Sequence, residues 1–108
     1  MPLNTQFTLA PGETASIDQT GTFVRFVRVS GDSRCPADAL CIQGGDALVH
    51  IHVDGGGAAD YELHTGDSSQ ATVSHRGLLV SLVSLQPYPF SGRTIEPGDY
   101  RARLQVSR

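Results

Sequence analysis

Three imidazoles and one carboxylate, His50, His52, His64 and Glu62, are the residues of this chain whose types and spacing come nearest to a metal site. A His-x-His strand with a third histidine opposite is an arrangement that zinc or copper accepts. The residues fall on two alternating stretches, 46–53 and 59–65, separated by the turn-forming run DGGGAA. If these stretches pair as an antiparallel hairpin, the simplest register that keeps Val53 and Tyr61 on the core face opposes His52 with Glu62 and His50 with His64. Glu62 would then act as a fourth ligand or hold one of the rings. A slip of two residues separates His50 from His64 while leaving the apolar face intact. The plainer reading is that these histidines are polar fillers of a solvent-facing sheet. His75 lies too far along the chain to be placed with them.

Cys35 and Cys41 bracket five residues in DSRCPADALC, a polar stretch between two strands. As a disulfide the pair staples a short loop and stabilises the fold by about 2 kcal/mol through the unfolded state, a device of secreted and periplasmic proteins. A thiolate metal site would want C-x-x-C spacing and further cysteines. A thioredoxin-like dithiol would want C-x-x-C in a βαβ setting. Two free thiols are the remaining alternative. Hydrolytic chemistry has less to stand on, because neither a G-x-S-x-G elbow nor an H-E-x-x-H helix is present. Two of the three glutamates, Glu13 and Glu96, flank Pro-Gly turns, so a paired-carboxylate glycosidase site lacks candidates.

The stretch QPYPFSGRTIEPGD, residues 86–99, carries the other functional reading. Pro87 and Pro89 stiffen a segment that presents Tyr88 and Phe90 with Arg93 nearby, a combination suited to partner recognition. The competing reading has the segment cross between sheets and insert its aromatics to seal the end of the core. The Tyr88-Pro89 bond can be cis or trans, and the sequence leaves it open.

The elements that must carry these residues are strands. Two-residue alternation recurs along the chain, and no long stretch shows helical apolar spacing. The clearest strand is 99–107, with Tyr100, Ala102, Leu104 and Val106 on one face and Arg101, Arg103 and Gln105 on the other. In 46–53 the apolar side is Ala47, Val49, Ile51 and Val53, so the histidines face away from it. Further strands are predicted at 6–9, 14–18, 22–29, 59–65, 71–75 and 77–86, about eight in all. Pro11-Gly12, Gly21, Gly55 to Gly57, Gly66-Asp67, Gly77 and Pro97-Gly98 punctuate them. The 22–29 stretch mixes its faces, which predicts a β-bulge or a strand covered on both sides. The expected architecture is an all-β, immunoglobulin-like antiparallel sandwich forming one domain over residues 1–108. Tyr100, at the start of the last strand, is the candidate for a tyrosine that hydrogen-bonds back to its own loop.

Composition narrows the function classes further. The chain has 108 residues and a formal net charge of −3, with no lysine. Without lysine there is no Walker-type phosphate loop and no Schiff-base or pyridoxal chemistry. The acidic balance offers no basic patch for a phosphate backbone, so nucleic acid is not an expected partner. The most apolar run, GLLVSLVSL at 77–85, is far shorter than the roughly 20 residues of a spanning helix. No charged segment followed by an apolar run opens the sequence, so a secretion signal or lipoprotein leader, if the protein is made with one, is not within these residues.

The run DSRCPADALCIQGGDA, 32–47, with LQPYPFSGRTIEPGDYRARLQV downstream, resembles a group of uncharacterised bacterial exported proteins that carry D-S-R-C-P-x(4)-C-x-x-x-G-x-A in a small β-rich domain. The matching residues are Asp32, Ser33, Arg34, Cys35, Pro36, Cys41, Gly44 or Gly45, and Ala47, then Pro87-Tyr88-Pro89 and Pro97 to Tyr100. The group often has an aromatic residue where Gln43 stands here. The resemblance implies an exported, disulfide-bonded β domain and carries no reaction with it. The expected function is therefore a non-catalytic binding domain of the cell envelope, periplasmic or at the cell surface, for a protein or small ligand. The alternatives are a periplasmic zinc or copper protein using His50, His52, His64 and Glu62, and an enzyme inhibitor acting through Pro87 to Arg93. Either a monomer or a weak dimer through open sheet edges is expected.

Overall fold

A computed structural model describes residues 1–36, 38–41 and 45–108. Eight strands form: β1 Gln6–Leu9, β2 Thr14–Ile17, β3 Thr22–Asp32, β4 Ala47–Asp54, β5 Ala59–His64, β6 Thr72–His75, β7 Leu78–Gln86 and β8 Arg101–Ser107. They make two antiparallel four-stranded sheets, ordered β1-β8-β7-β6 and β2-β3-β4-β5. One apolar cluster lies between them, drawing Phe26, Val49, Ile51 and Leu63 from one sheet and Val80, Leu85, Leu104 and Val106 from the other. Each such side chain contributes about 1.5–3 kcal/mol on burial, enough in sum to fix which face of every strand turns inward. The order is that of two meanders, β2 to β5 and β6 to β8, with β1 added beside β8. An immunoglobulin constant domain instead interleaves its strands between the sheets. The architecture is thus a sandwich of antiparallel sheets stapled by a Cys35–Cys41 disulfide.

The mixed stretch in β3 is a bulge. The pairs Phe26↔Ile51 and Arg28↔His50 leave Val27 unopposed, and a second shift follows between Val29 and Gly31. β7 bulges likewise, with Val83 left between Leu82↔Leu104 and Ser84↔Arg103. Both valines lie on the surface next to buried Phe26 and Leu82, and the inward–outward alternation shifts after each of them. A cis peptide bond is present at Gln86-Pro87, and the Tyr88-Pro89 bond, which the sequence leaves open, is trans.

Candidate functional site

The β4–β5 register is the slipped one. His50 stands opposite Glu62, His52 opposite Asp60, and His64 opposite Leu48. Both registers keep the apolar face inward, so alternation alone could not choose between them. Each histidine is engaged separately. His50 Nε2 hydrogen-bonds Ser30 Oγ at 2.6 Å, and His52 Nδ1 donates to Asp60 Oδ1 at 2.7 Å. His64 Nδ1 donates to Asp46 Oδ2, with Glu62 Oε1 3.7 Å from its Nε2. Among the described residues no three His, Cys, Asp or Glu side chains gather closely enough to hold a metal ion, so the expected His50, His52, His64 and Glu62 cluster does not assemble. His75 is a core histidine: its Nδ1 meets the Tyr61 hydroxyl at 2.8 Å and its Nε2 the Gly55 carbonyl at 3.3 Å.

The D-S-R run at the end of β3 organises the opposite end of the sandwich from the glycine turn. Arg34 Nε and Nη2 donate to the two oxygens of Asp32 at 2.8 and 2.7 Å, a bidentate pair. The same guanidinium donates to the carbonyls of Leu85 and Pro87 at 2.7 and 2.9 Å, which ties the end of β3 to the end of β7. The Tyr100 hydroxyl donates to Asp32 Oδ2 at 2.8 Å, so this tyrosine reaches across to Asp32 and not back to its own loop. Burial pushes the Asp32 carboxyl up, but hydrogen bonds from Arg34 and Tyr100 outweigh it and hold it below the ordinary range. Burial, with the bond to Asp32, raises the Tyr100 hydroxyl to about 12.

Ser33 continues the β3–β4 ladder beyond its last pair. Its N–H and hydroxyl both donate to the Asp46 carbonyl, at 2.7 and 3.0 Å. Gly45 is required beside it, because a Cβ there would lie 1.5 Å from the Ser33 oxygen. Asp46 then accepts from His64 and from the Gly66 N–H at 2.8 Å; burial opposes the charge, and these bonds hold the carboxyl low nonetheless. Gln43 and Gly44, noted in the sequence pattern, lie outside the described residues.

This scaffold carries an aromatic rim. Tyr88 is 54% and Phe90 45% exposed, so neither seals the core. The Arg34 guanidinium lies 5.9 Å from the Tyr88 ring centre, and Arg93 lies 5.8 Å from that of Phe90. The disulfide loop pins the same segment, its Asp38 accepting from the Ser91 N–H at 2.8 Å. That bond first, and Arg93 in addition, hold the Asp38 carboxyl below its usual range. Leu40, in the same loop, is fully exposed. Between Tyr88, Phe90, Arg93 and Ile95 opens an apolar cleft of about 380 Å³. Tyr88 also borders a second cleft, of about 320 Å³, with Arg34, His64, Ser84 and Leu85.

The second cleft brings together an Asp46–His64 pair and a serine, the residue types of a hydrolase. Ser84 Oγ, however, is buried without a hydrogen-bond partner, and so makes no hydrogen bond to the imidazole. Asp32, Asp38, Leu40 and Asp46 were not singled out as site residues from the sequence. The available signals were an Asp-x-Arg spacing at a strand end and a lone leucine in a polar loop. Comparison of the chain with family models, with curated proteins and with solved structures finds no match.

Proposed function

We propose that this chain is a non-catalytic binding domain of the bacterial cell envelope, and that it recognises a segment of another protein at the Tyr88–Phe90 rim. The reading rests on one observation above all: two half-exposed aromatics sit on a segment fixed from below by Arg34 and from the side by Asp38. A rigid aromatic surface loses little conformational entropy on binding, which is why such residues dominate recognition hot spots. The rim is concave, with Ile95 among the residues lining its cleft, so it suits a partner's apolar side chain entering it. That concavity favours a receiving role over the cleft-inserting role of a loop inhibitor. The envelope location is supported by the disulfide, which persists in oxidising compartments, and by the resemblance to exported proteins.

Peptide-display selection on the oxidised chain, with the bound peptide mapped by amide NMR shifts, tests this. The expected result is enrichment of peptides with an apolar anchor and shifts at residues 38–40 and 88–95. Absence of enrichment, or shifts confined to another face, overturns it.

A further inference from the structure

The end of the sandwich opposite the rim holds a third cleft, of about 290 Å³, lined by Gln19, Thr20, Thr22, Gly55, Arg76 and Arg108 among others. It is built by the β2–β3, β4–β5 and β6–β7 turns. Among the described residues no Asp or Glu side chain lines it, in a chain whose net charge is −3. Arg76 occupies the first position of the two-residue turn between β6 and β7, with φ of 53°, followed by Gly77 at 81°. Asparagine or glycine is the favoured residue at such a position, and arginine adopts it at a conformational cost. Its side chain is laid over the glycine turn: a Cβ at Gly57 would stand 2.7 Å from Arg76 Nη2, and Gly55, Gly56 and Gly57 all have positive φ. A side chain at Gly56 or Gly57 would meet Arg76, so the glycines let its guanidinium approach the turn closely. Among the described residues neither Arg76 nor Arg108 has a hydrogen-bonding or ion-pair partner. Thr22, only 3% exposed as a residue, lines the same cleft.

Two unpaired guanidiniums and a threonine side chain around one cleft are the complement of an oxyanion. The geometry points to a binding site for a small oxyanion of the phosphate class, with Arg76 as the principal cation and the Thr22 hydroxyl as a neutral donor. The ligand is either free phosphate or the phosphate of an envelope headgroup, since both present the same oxygens. The site is independent of the rim and stands or falls without it.

The test is an NMR titration of the oxidised chain with sodium phosphate, and separately with glycerol phosphate, each against sodium chloride at equal ionic strength. The expected result is saturable shifts, with a dissociation constant in the millimolar range or tighter, confined to the Arg76 side-chain N–H, Thr22 and residues 55–57. Tighter binding of glycerol phosphate identifies the headgroup source, and equal binding identifies the free anion. Arg76→Asn keeps a residue suited to the turn and should weaken binding at least tenfold with the amide spectrum otherwise preserved. Thr22→Val should weaken it severalfold. Shifts no larger than those in chloride, or an Arg76→Asn variant that binds as the parent does, overturn the assignment.

Discussion

Replacing Arg34 by alanine removes the one cation from a nearly closed polar knot. Its side chain is 9% exposed and that of Asp32 13%, so screening by solvent is slight. Deleting one partner of a buried pair costs about 3–5 kcal/mol, because the remaining charge keeps its desolvation without its counter-ion. The carbonyls of Leu85 and Pro87 lose their donor as well, but they lie at the rim, where water can replace it. The low end, about 3 kcal/mol, is therefore expected. That is a large share of the roughly 5–15 kcal/mol that holds a domain together. For a chain of this size it lowers Tm by roughly 12–24 °C. The loss also has a pH signature. Asp32 titrates below its ordinary value in the folded chain, so its stabilisation is present above about pH 4 and fades as pH falls through the lowered folded value. Protonated Asp32 needs no cation, and the gap between parent and variant should narrow from pH 7 to pH 3.5. Urea titrations followed by far-UV circular dichroism suit a chain without tryptophan. A loss under about 1 kcal/mol at pH 7, or a gap that does not change with pH, refutes the reasoning.

Tyr100→Phe should cost about 1.5–2 kcal/mol, the value of one hydrogen bond to a carboxylate. Because the folded-state value is raised to about 12, this contribution is complete below about pH 10 and is lost as pH rises through 12; ultraviolet titration should find one late-ionising tyrosine that the variant lacks. Gly45→Ala should destabilise by about 3 kcal/mol in chemical denaturation, while Gly98→Ala, where an added Cβ meets nothing, should stay within about 0.5 kcal/mol. Zinc calorimetry should show no site lost on pairing His50→Ala with His64→Ala; binding tighter than about micromolar that the double variant abolishes would mean the hairpin adopts the other register in solution.

The strands were legible because their signal is local. Ala47, Val49, Ile51 and Val53 declare the inner face of β4, and Tyr100 to Val106 that of β8, since every second residue meets the core. The bulge in β3 was legible too, because Val27 breaks the alternation set by Val24 and Phe26. The register of the histidine hairpin was not, because a slip of two residues conserves both faces and only the Gly55 to Gly57 turn selects between the outcomes. The rim was half legible. Tyr88, Phe90 and Arg93 stood out by type, but whether they seal or present depends on Arg34 gripping carbonyls 51 and 53 residues away. No pattern over neighbouring positions carries that contact. The D-S-R run was visible only as a resemblance; its physical content is the Asp32, Arg34 and Tyr100 knot.

The most direct measurement of the central claim compares the parent with a Tyr88→Ser, Phe90→Ser double variant, both in urea unfolding and in affinity for a display-selected peptide. Rings that are 54% and 45% exposed give up little packing, and the Arg34 contact with Tyr88 is worth about 0.5 kcal/mol, so the stability loss should stay near 1 kcal/mol while peptide affinity falls at least about tenfold. A loss of about 3 kcal/mol or more would show that the aromatics close the core, and undiminished affinity would place recognition elsewhere; either result contradicts the account.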